Sequence, residues 1–214
     1  MNALKQLNLK ALFAGALVFA AWAYATFSDF LEGFDRWGLM LFRKETDGNF
    51  LPIGPEGTPD IVMAVTHMGD TITLIVVSLA LVGWILSKHS KTLATRCAAA
   101  ITGVFLISPI FKFLFDRDRP DIVEQLAHAS SKSFPSGHAL RSAGIYLILY
   151  VVLSGFLSVR GKQLLFTITS TVIVLTSISR VYLGVHWPTD IVASWIIALT
   201  WLYFCKKLLT LRTP

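Results

Sequence analysis

The sequence predicts an all-α, polytopic membrane protein: a six-transmembrane-helix bundle with a short interfacial helical segment between helices 1 and 2. Three observations carry that expectation. Hydrophobic residues make up 54% of the chain against 15% charged, the mean hydropathy is +0.63, and the apolar residues collect in six long runs. At 214 residues there is room for one compact helical domain, so residues 1–214 read as a single membrane-embedded unit, with no repeat, low-complexity tract or linker dividing them.

The six runs are about Ala11–Phe27, Thr71–Ser87, Cys97–Phe115, Gly137–Leu157, Leu164–Tyr182 and Thr189–Cys205. Several approach the lower limit of a span, roughly 17 residues, so their ends must draw on interfacial residues. Lys5 and Lys10 precede the first run, as they would in a signal peptide. The run is long for such a peptide, however, and Phe27-Ser28-Asp29 offers no small-x-small cleavage pattern, so it stands as the first span.

Residues 29–70 form the longest stretch outside the spans. Phe30, Phe34, Trp37 and Leu41 recur there at helical spacing, which fits an amphipathic helix lying in the interface or capping the bundle. Asn49–Pro59 is rich in Gly and Pro and reads as a loop. His67 and Asp70, just before the second span, read as interfacial or capping groups.

Three polar clusters interrupt the remaining spans. The third span runs into Lys112 through Arg119-Pro120. These two bases lie seven positions apart, two helical turns, and share a face if the helix persists to an exit at Pro120. The fourth span opens with Pro135-Ser136-Gly137-His138: Ser136 suits an N-cap, Gly137 admits a ligand close to the backbone, and the free N–H groups beyond the cap make an anion site with His138 in the same turn. Between the fifth and sixth spans stand Ser179-Arg180, His186 and Asp190. Pro188 suits the first turn of the last helix, which brings the Asp190 carboxylate near one N–H of His186 and leaves the other ring nitrogen free to attack. Arg180 offers the planar fork of donors that matches phosphate oxygens.

Charge sets the orientation. The N-terminus, Lys88–Arg96, Arg160–Lys162 and the C-terminal tail hold ten of the 19 Lys and Arg residues and none of the 13 acids. Those short basic segments place both termini in the cytoplasm and all three clusters at the opposite, periplasmic or extracellular face of a plasma membrane. The net charge of +6 thus divides into about +10 and −4, which fits basic loops against anionic lipid and argues against a nucleic-acid partner. Cys97 and Cys205 sit in apolar settings without neighbouring histidines, as buried thiols rather than a disulfide or a metal site.

Folding can therefore gather Lys112, Arg119, Ser136, Gly137, His138, Arg180, His186 and Asp190 around one pocket. Three permanent cations, a helix N-terminus and two histidines suit phosphate handling with no cofactor, metal or obligatory protein partner. A transporter would use such cations to guide an anion, but the paired histidines favour chemistry.

In these residues the chain resembles the type 2 phosphatidic acid phosphatase superfamily, whose three separated motifs appear as Lys112 to Arg119-Pro120, Pro135 to His138, and Ser179-Arg180 to His186 and Asp190. The resemblance covers roughly Lys112–Asp190 and implies a membrane lipid phosphatase. In that scheme His186 is the nucleophile that forms a phosphohistidine, Asp190 orients it and His138 is the general acid and base, while Lys112, Arg119, Arg180, Ser136 and Gly137 hold the phosphoryl oxygens. Phosphatidic acid, phosphatidylglycerol phosphate, undecaprenyl diphosphate and the lipid A phosphate all fit as substrates, and transfer to an acceptor lipid is the alternative outcome.

Overall fold

The computed structural model describes residues 7–210 and is mostly helical. Lys5 and Arg212, counted above toward the cytoplasmic face, lie outside the described residues. The spans are α1 (Leu9–Phe27), α4 (Thr71–Lys88), α5 (Lys91–Leu114), α6 (Gly137–Ser154), α7 (Val159–Tyr182) and α8 (Pro188–Leu209), each long and apolar enough to cross a membrane. The six-span expectation holds; half of the ends are extended, chiefly at the starts of α5 and α7, while α5 and α6 end earlier, at Leu114 and Ser154.

The segment between α1 and α4 is richer than expected. Helix α2 (Glu32–Met40) carries the anticipated stripe, and Phe34, Trp37 and the adjacent Leu41 are exposed, as an interfacial helix requires. Its other face buries Asp35 and Leu39. A hairpin of β1 (Arg43–Thr46) and β2 (Asn49–Pro52) takes in the start of the stretch read as a loop, which is irregular only over 53–57 before α3 (Thr58–Thr66) and a single 3-10 turn at His67–Gly69. Asp47 and Gly48 at the tip both take positive φ, the conformation that an Asp-Gly pair accepts in a two-residue hairpin.

Helices α6 and α8 form the centre, with α7 and α5 against α6, α1 against α8, and α4 against α5. Burial follows that order: half of the apolar window of α6 is buried, against 11% for α1. The core between them is aliphatic, built from residues such as Ile85, Ile101, Val104, Ile145, Ile148 and Leu202. Large apolar side chains such as Phe13, Leu79, Phe113 and Val159 remain exposed around the outside, as a lipid-facing surface requires. With lipid outside, helix association rests on close packing, and Gly103 supplies it: a Cβ there would stand 2.1 Å from the Trp201 ring.

Two contacts fix the direction of the first and last spans. The Asn8 amide donates to Phe204 O at 3.0 Å, and Trp22 Nε1 donates to Thr189 O at 3.1 Å, so α1 and α8 run antiparallel. The start of α1 and the end of α8 therefore share one end of the bundle, together with Lys88, Lys91, Arg96, Arg160 and Lys162. The opposite end carries α2, the hairpin, α3, the irregular segment 115–136 and the turn from α7 to α8.

Candidate active site

The site is assembled around the first turn of α8. Pro188 opens that helix, and Asp190 in its first turn is fully buried. Its Oδ2 accepts from the Trp187 amide at 3.0 Å, from His186 Nδ1 at 3.1 Å and from Ser133 Oγ, while Oδ1 accepts from Arg117 Nη1 at 2.7 Å. The expected His186–Asp190 pairing is present. On the other side of the ring, Arg119 Nη1 lies 3.2 Å from Nε2. A guanidinium can only donate, so Nε2 presents its lone pair and the ring proton sits on Nδ1 toward Asp190. Burial lowers the imidazole pKa to about 3, reinforced by Arg119 and Arg180 and opposed by Asp190, so the ring is neutral at physiological pH.

Lys112 and Arg119 converge by a different route from the one their spacing predicts. Helix α5 ends at Leu114, well before Pro120, so no continuous helical face joins them. They meet instead on the segment that returns toward α6. Lys112 Nζ donates to Ser131 Oγ at 2.9 Å and Lys132 O at 2.7 Å, and Arg119 Nε donates to Ser131 O at 2.8 Å. Arg119 Nη1 also donates to Val185 O at 2.5 Å, which ties it to the residue before His186. Burial lowers its pKa against the opposing pull of Asp190.

Ser136 caps α6 as expected, accepting from the Ala139 amide at 3.5 Å. Ser194 Oγ lies 3.0 Å from Ser136 O and 2.7 Å from Asp190 O, so the starts of α6 and α8 are joined through one hydroxyl. Arg180 at the end of α7 is buried; Nη1 donates to Thr66 Oγ1 at 2.9 Å, and Nε has no partner. The turn that follows depends on Gly184, at φ +70, where a Cβ would stand 2.7 Å from Glu124 O.

A cavity of about 410 Å³ opens where these segments meet. Lys112, Arg119, Gly137, His138, Arg180 and His186 line it, while Ser136 and Asp190 lie fully buried behind the lining. All eight residues singled out in the sequence thus come to one place. Among the described residues no group of three or more His, Cys, Asp or Glu side chains is arranged to hold a metal ion.

Four further residues belong to the same assembly. Asp70, read from sequence as a cap or interfacial group, makes no capping hydrogen bond; Oδ1 lies 2.6 Å from His138 Nε2, and Oδ2 lies 2.6 Å from Nδ1 of the exposed His67. Burial alone would raise the Asp70 pKa, but the two histidines outweigh it and hold the carboxyl below its usual range. Arg117 bridges Asp190 and Asp35, with Nη2 2.6 Å from Asp35 Oδ2. Asp35 also accepts from the Thr189 amide at 2.8 Å and Thr189 Oγ1 at 2.7 Å, so α2 caps α8 from outside that helix. Ser133 is the fourth, and nothing in its local sequence marks it.

Comparison with known proteins places the chain among relatives. A family model described as the PAP2 superfamily matches residues 76–214. The chain is 33% identical over 152 residues to phosphatidylglycerophosphatase B of Bacillus subtilis (strain 168), covering 69% of this chain and 73% of that protein. It is 28% identical over 145 residues to a putative undecaprenyl-diphosphatase, YbjG, of Escherichia coli (strain K12), covering 64% and 67%. Its fold superposes on the crystal structure of a transmembrane PAP2 type phosphatidylglycerolphosphate phosphatase from Bacillus subtilis with a TM-score of 0.80 at 25% identity, over 91% of this chain and 94% of that one.

Asp35→Ala takes one of two carboxylates from Arg117, which keeps Asp190, and leaves the buried Thr189 amide without its acceptor, a loss on the order of 1–3 kcal/mol. Thermal unfolding in detergent is expected to show a clear drop in midpoint together with reduced turnover. An unchanged midpoint would mean that α8 is anchored elsewhere.

Proposed function

The chain belongs to the PAP2 superfamily, and on that premise we propose that this lipid phosphatase cleaves a phosphate from a membrane lipid through a phosphohistidine on His186. The observation that carries the reading is the environment of one ring: His186 has its proton directed to Asp190 at 3.1 Å and its Nε2 lone pair directed to the cationic cavity. That is the preparation a nitrogen nucleophile requires.

In the first step the Nε2 lone pair attacks phosphorus and the bond from phosphorus to the lipid oxygen breaks. His138, through the ring nitrogen that Asp70 does not hold, gives its proton to the departing oxygen. Asp190 offsets the positive charge that develops on the His186 ring. Lys112, Arg119, Arg180 and the amides at the start of α6 hold the nonbridging oxygens as their negative charge grows. In the second step His138 takes a proton from water, the hydroxide oxygen bonds to phosphorus, the P–N bond breaks, and inorganic phosphate leaves. Asp70 orients His138 and supplies a counter-charge each time that ring is protonated, so it serves as a positioning residue. No step calls for a metal ion.

The orientation is also a proposal. The described basic residues at the end of the bundle away from the cavity support a cytoplasmic location for that end and an outer-face location for the site. A lipid headgroup would then enter from outside while its tail remained between helices and bilayer.

Two experiments test this reading. A phosphate-release panel of phosphatidic acid, phosphatidylglycerol phosphate, polyprenyl diphosphate and lipid A, with acceptor lipids present and with EDTA, is expected to give metal-independent release that His186→Ala reduces by at least about a thousandfold. Substantial activity in that variant would remove His186 as the nucleophile, and phosphate arriving on an acceptor lipid would redefine the reaction as transfer. Asp47→Cys at the hairpin tip is expected to react with a membrane-impermeant thiol reagent in intact cells, against a low background because Cys97 and Cys205 are buried. Labelling only after the membrane is opened would reverse the orientation.

A further inference from the structure

The cavity holds one more cation than the reacting phosphoryl group calls for. Arg141 lies on α6, one turn further from the mouth of the site than Gly137, and its side chain lines the same cavity. Nη1 reaches Ser108 Oγ at 3.4 Å, its one side-chain partner, and no carboxylate lies within ion-pairing distance among the described residues. Nε is buried with no partner at all. A Cβ on Gly137 would stand 3.0 Å from Arg141 Nη1 and 3.2 Å from Ser108 Oγ, so the guanidinium and the hydroxyl flank the first turn of α6 together.

Depth gives this pair its meaning. Ser108 precedes Lys112 by one turn of α5, and Arg141 follows Gly137 by about one turn of α6, so both sit roughly 6 Å further into the membrane than the groups at the mouth. Phe105 and Pro109, neighbours of Ser108 on α5, also line the cavity. An unpaired guanidinium at that depth is costly unless an anion meets it. Lys112, Arg119 and Arg180 already supply one cation for each nonbridging oxygen of the group under attack. A lipid monophosphate would set the uncharged start of its tail against Arg141. A lipid with a second phosphate between the scissile one and the tail would set that phosphate there.

We propose that Arg141 and Ser108 form a second phosphate subsite, on the tail side of the reacting group, that selects lipids bearing two phosphates. The inference rests on the phosphatase reading above and narrows its substrate class. The shared chemistry is an inner phosphate anion, supplied either by a diphosphate or by a phosphodiester separated from the terminal phosphate by glycerol.

The test compares four lipids in two matched pairs: polyprenyl diphosphate with its monophosphate, and phosphatidylglycerol phosphate with phosphatidic acid of the same acyl chains. Loss of a charge-assisted contact to phosphate predicts that Arg141→Gln lowers kcat/KM for at least one two-phosphate lipid roughly tenfold more than for its single-phosphate partner, chiefly through KM. Arg141→Lys is expected to recover part of the loss. A selective fall in the first pair identifies a diphosphate, and one in the second pair a glycerol-bridged lipid. Equal losses in both pairs, or none, would overturn the subsite. A measurement on the unmodified protein guards against misfolding of the variant: inorganic pyrophosphate is expected to raise its thermal midpoint at concentrations about tenfold below those at which phosphate does. Equal potency of the two anions would also overturn it. Release of phosphate from none of the four lipids by the unmodified protein would sink the phosphatase reading and the subsite with it.

Discussion

The structure depends on the burial of one carboxylate. Asp190 is fully enclosed, and four groups from two parts of the chain direct donors at it: His186 and the Trp187 amide from the turn before α8, and Ser133 and Arg117 from the segment between α5 and α6. A bare carboxylate in such a place would be prohibitive, so the partners are obligatory and their positions are fixed by the need to satisfy it. Arg117 passes the constraint on to Asp35 and thereby to α2. The tautomer of His186 and the docking of the interfacial helix both follow from one desolvated charge.

The membrane makes this arrangement both necessary and stable. With lipid outside, the apolar surfaces of α1 and α4 contribute little to helix association, and close contacts such as Gly103 against Trp201 carry the packing. Polar groups are concentrated at one end of the bundle, where the segment 115–136 and the chain between α1 and α4 can supply partners. The cations facing the cavity are different in kind. Lys112 and Arg119 spend donors on backbone oxygens of the 131–132 turn, and Arg141 and Arg180 keep buried nitrogens with none. Donors that are held in place yet incompletely satisfied favour an incoming anion, with little reorganisation needed when it arrives.

The sequence carried the spans, the three motifs and their convergence because each has a local signature: long apolar runs, a Ser-Gly-His start to a helix, and a His followed four positions later by Asp before a new span. The residues it missed act across distance. Asp70 reads as a common residue before a helix, and only its 2.6 Å contact with His138, 68 positions away, distinguishes it. Asp35 and Arg117 lie in charged stretches whose pairing no spacing reveals. Asp47-Gly48 is a two-residue hairpin signal, but the strands beside it are only four residues long and the Gly and Pro just after it carry a stronger loop signature. Lys112 and Arg119 share no helical face, because the chain leaves α5 at Leu114 and returns by an irregular path.

The central claim is that His186 carries the phosphoryl group between the two half-reactions. Rapid mixing of the unmodified protein with a ³²P-labelled lipid substrate, followed by an alkaline quench and peptide mapping, tests it most directly. The account predicts label on the peptide containing His186, stable to alkali and labile to acid, appearing before inorganic phosphate. Label on any other residue, or phosphate released with oxygen inversion at phosphorus and no labelled protein at any time, would contradict it.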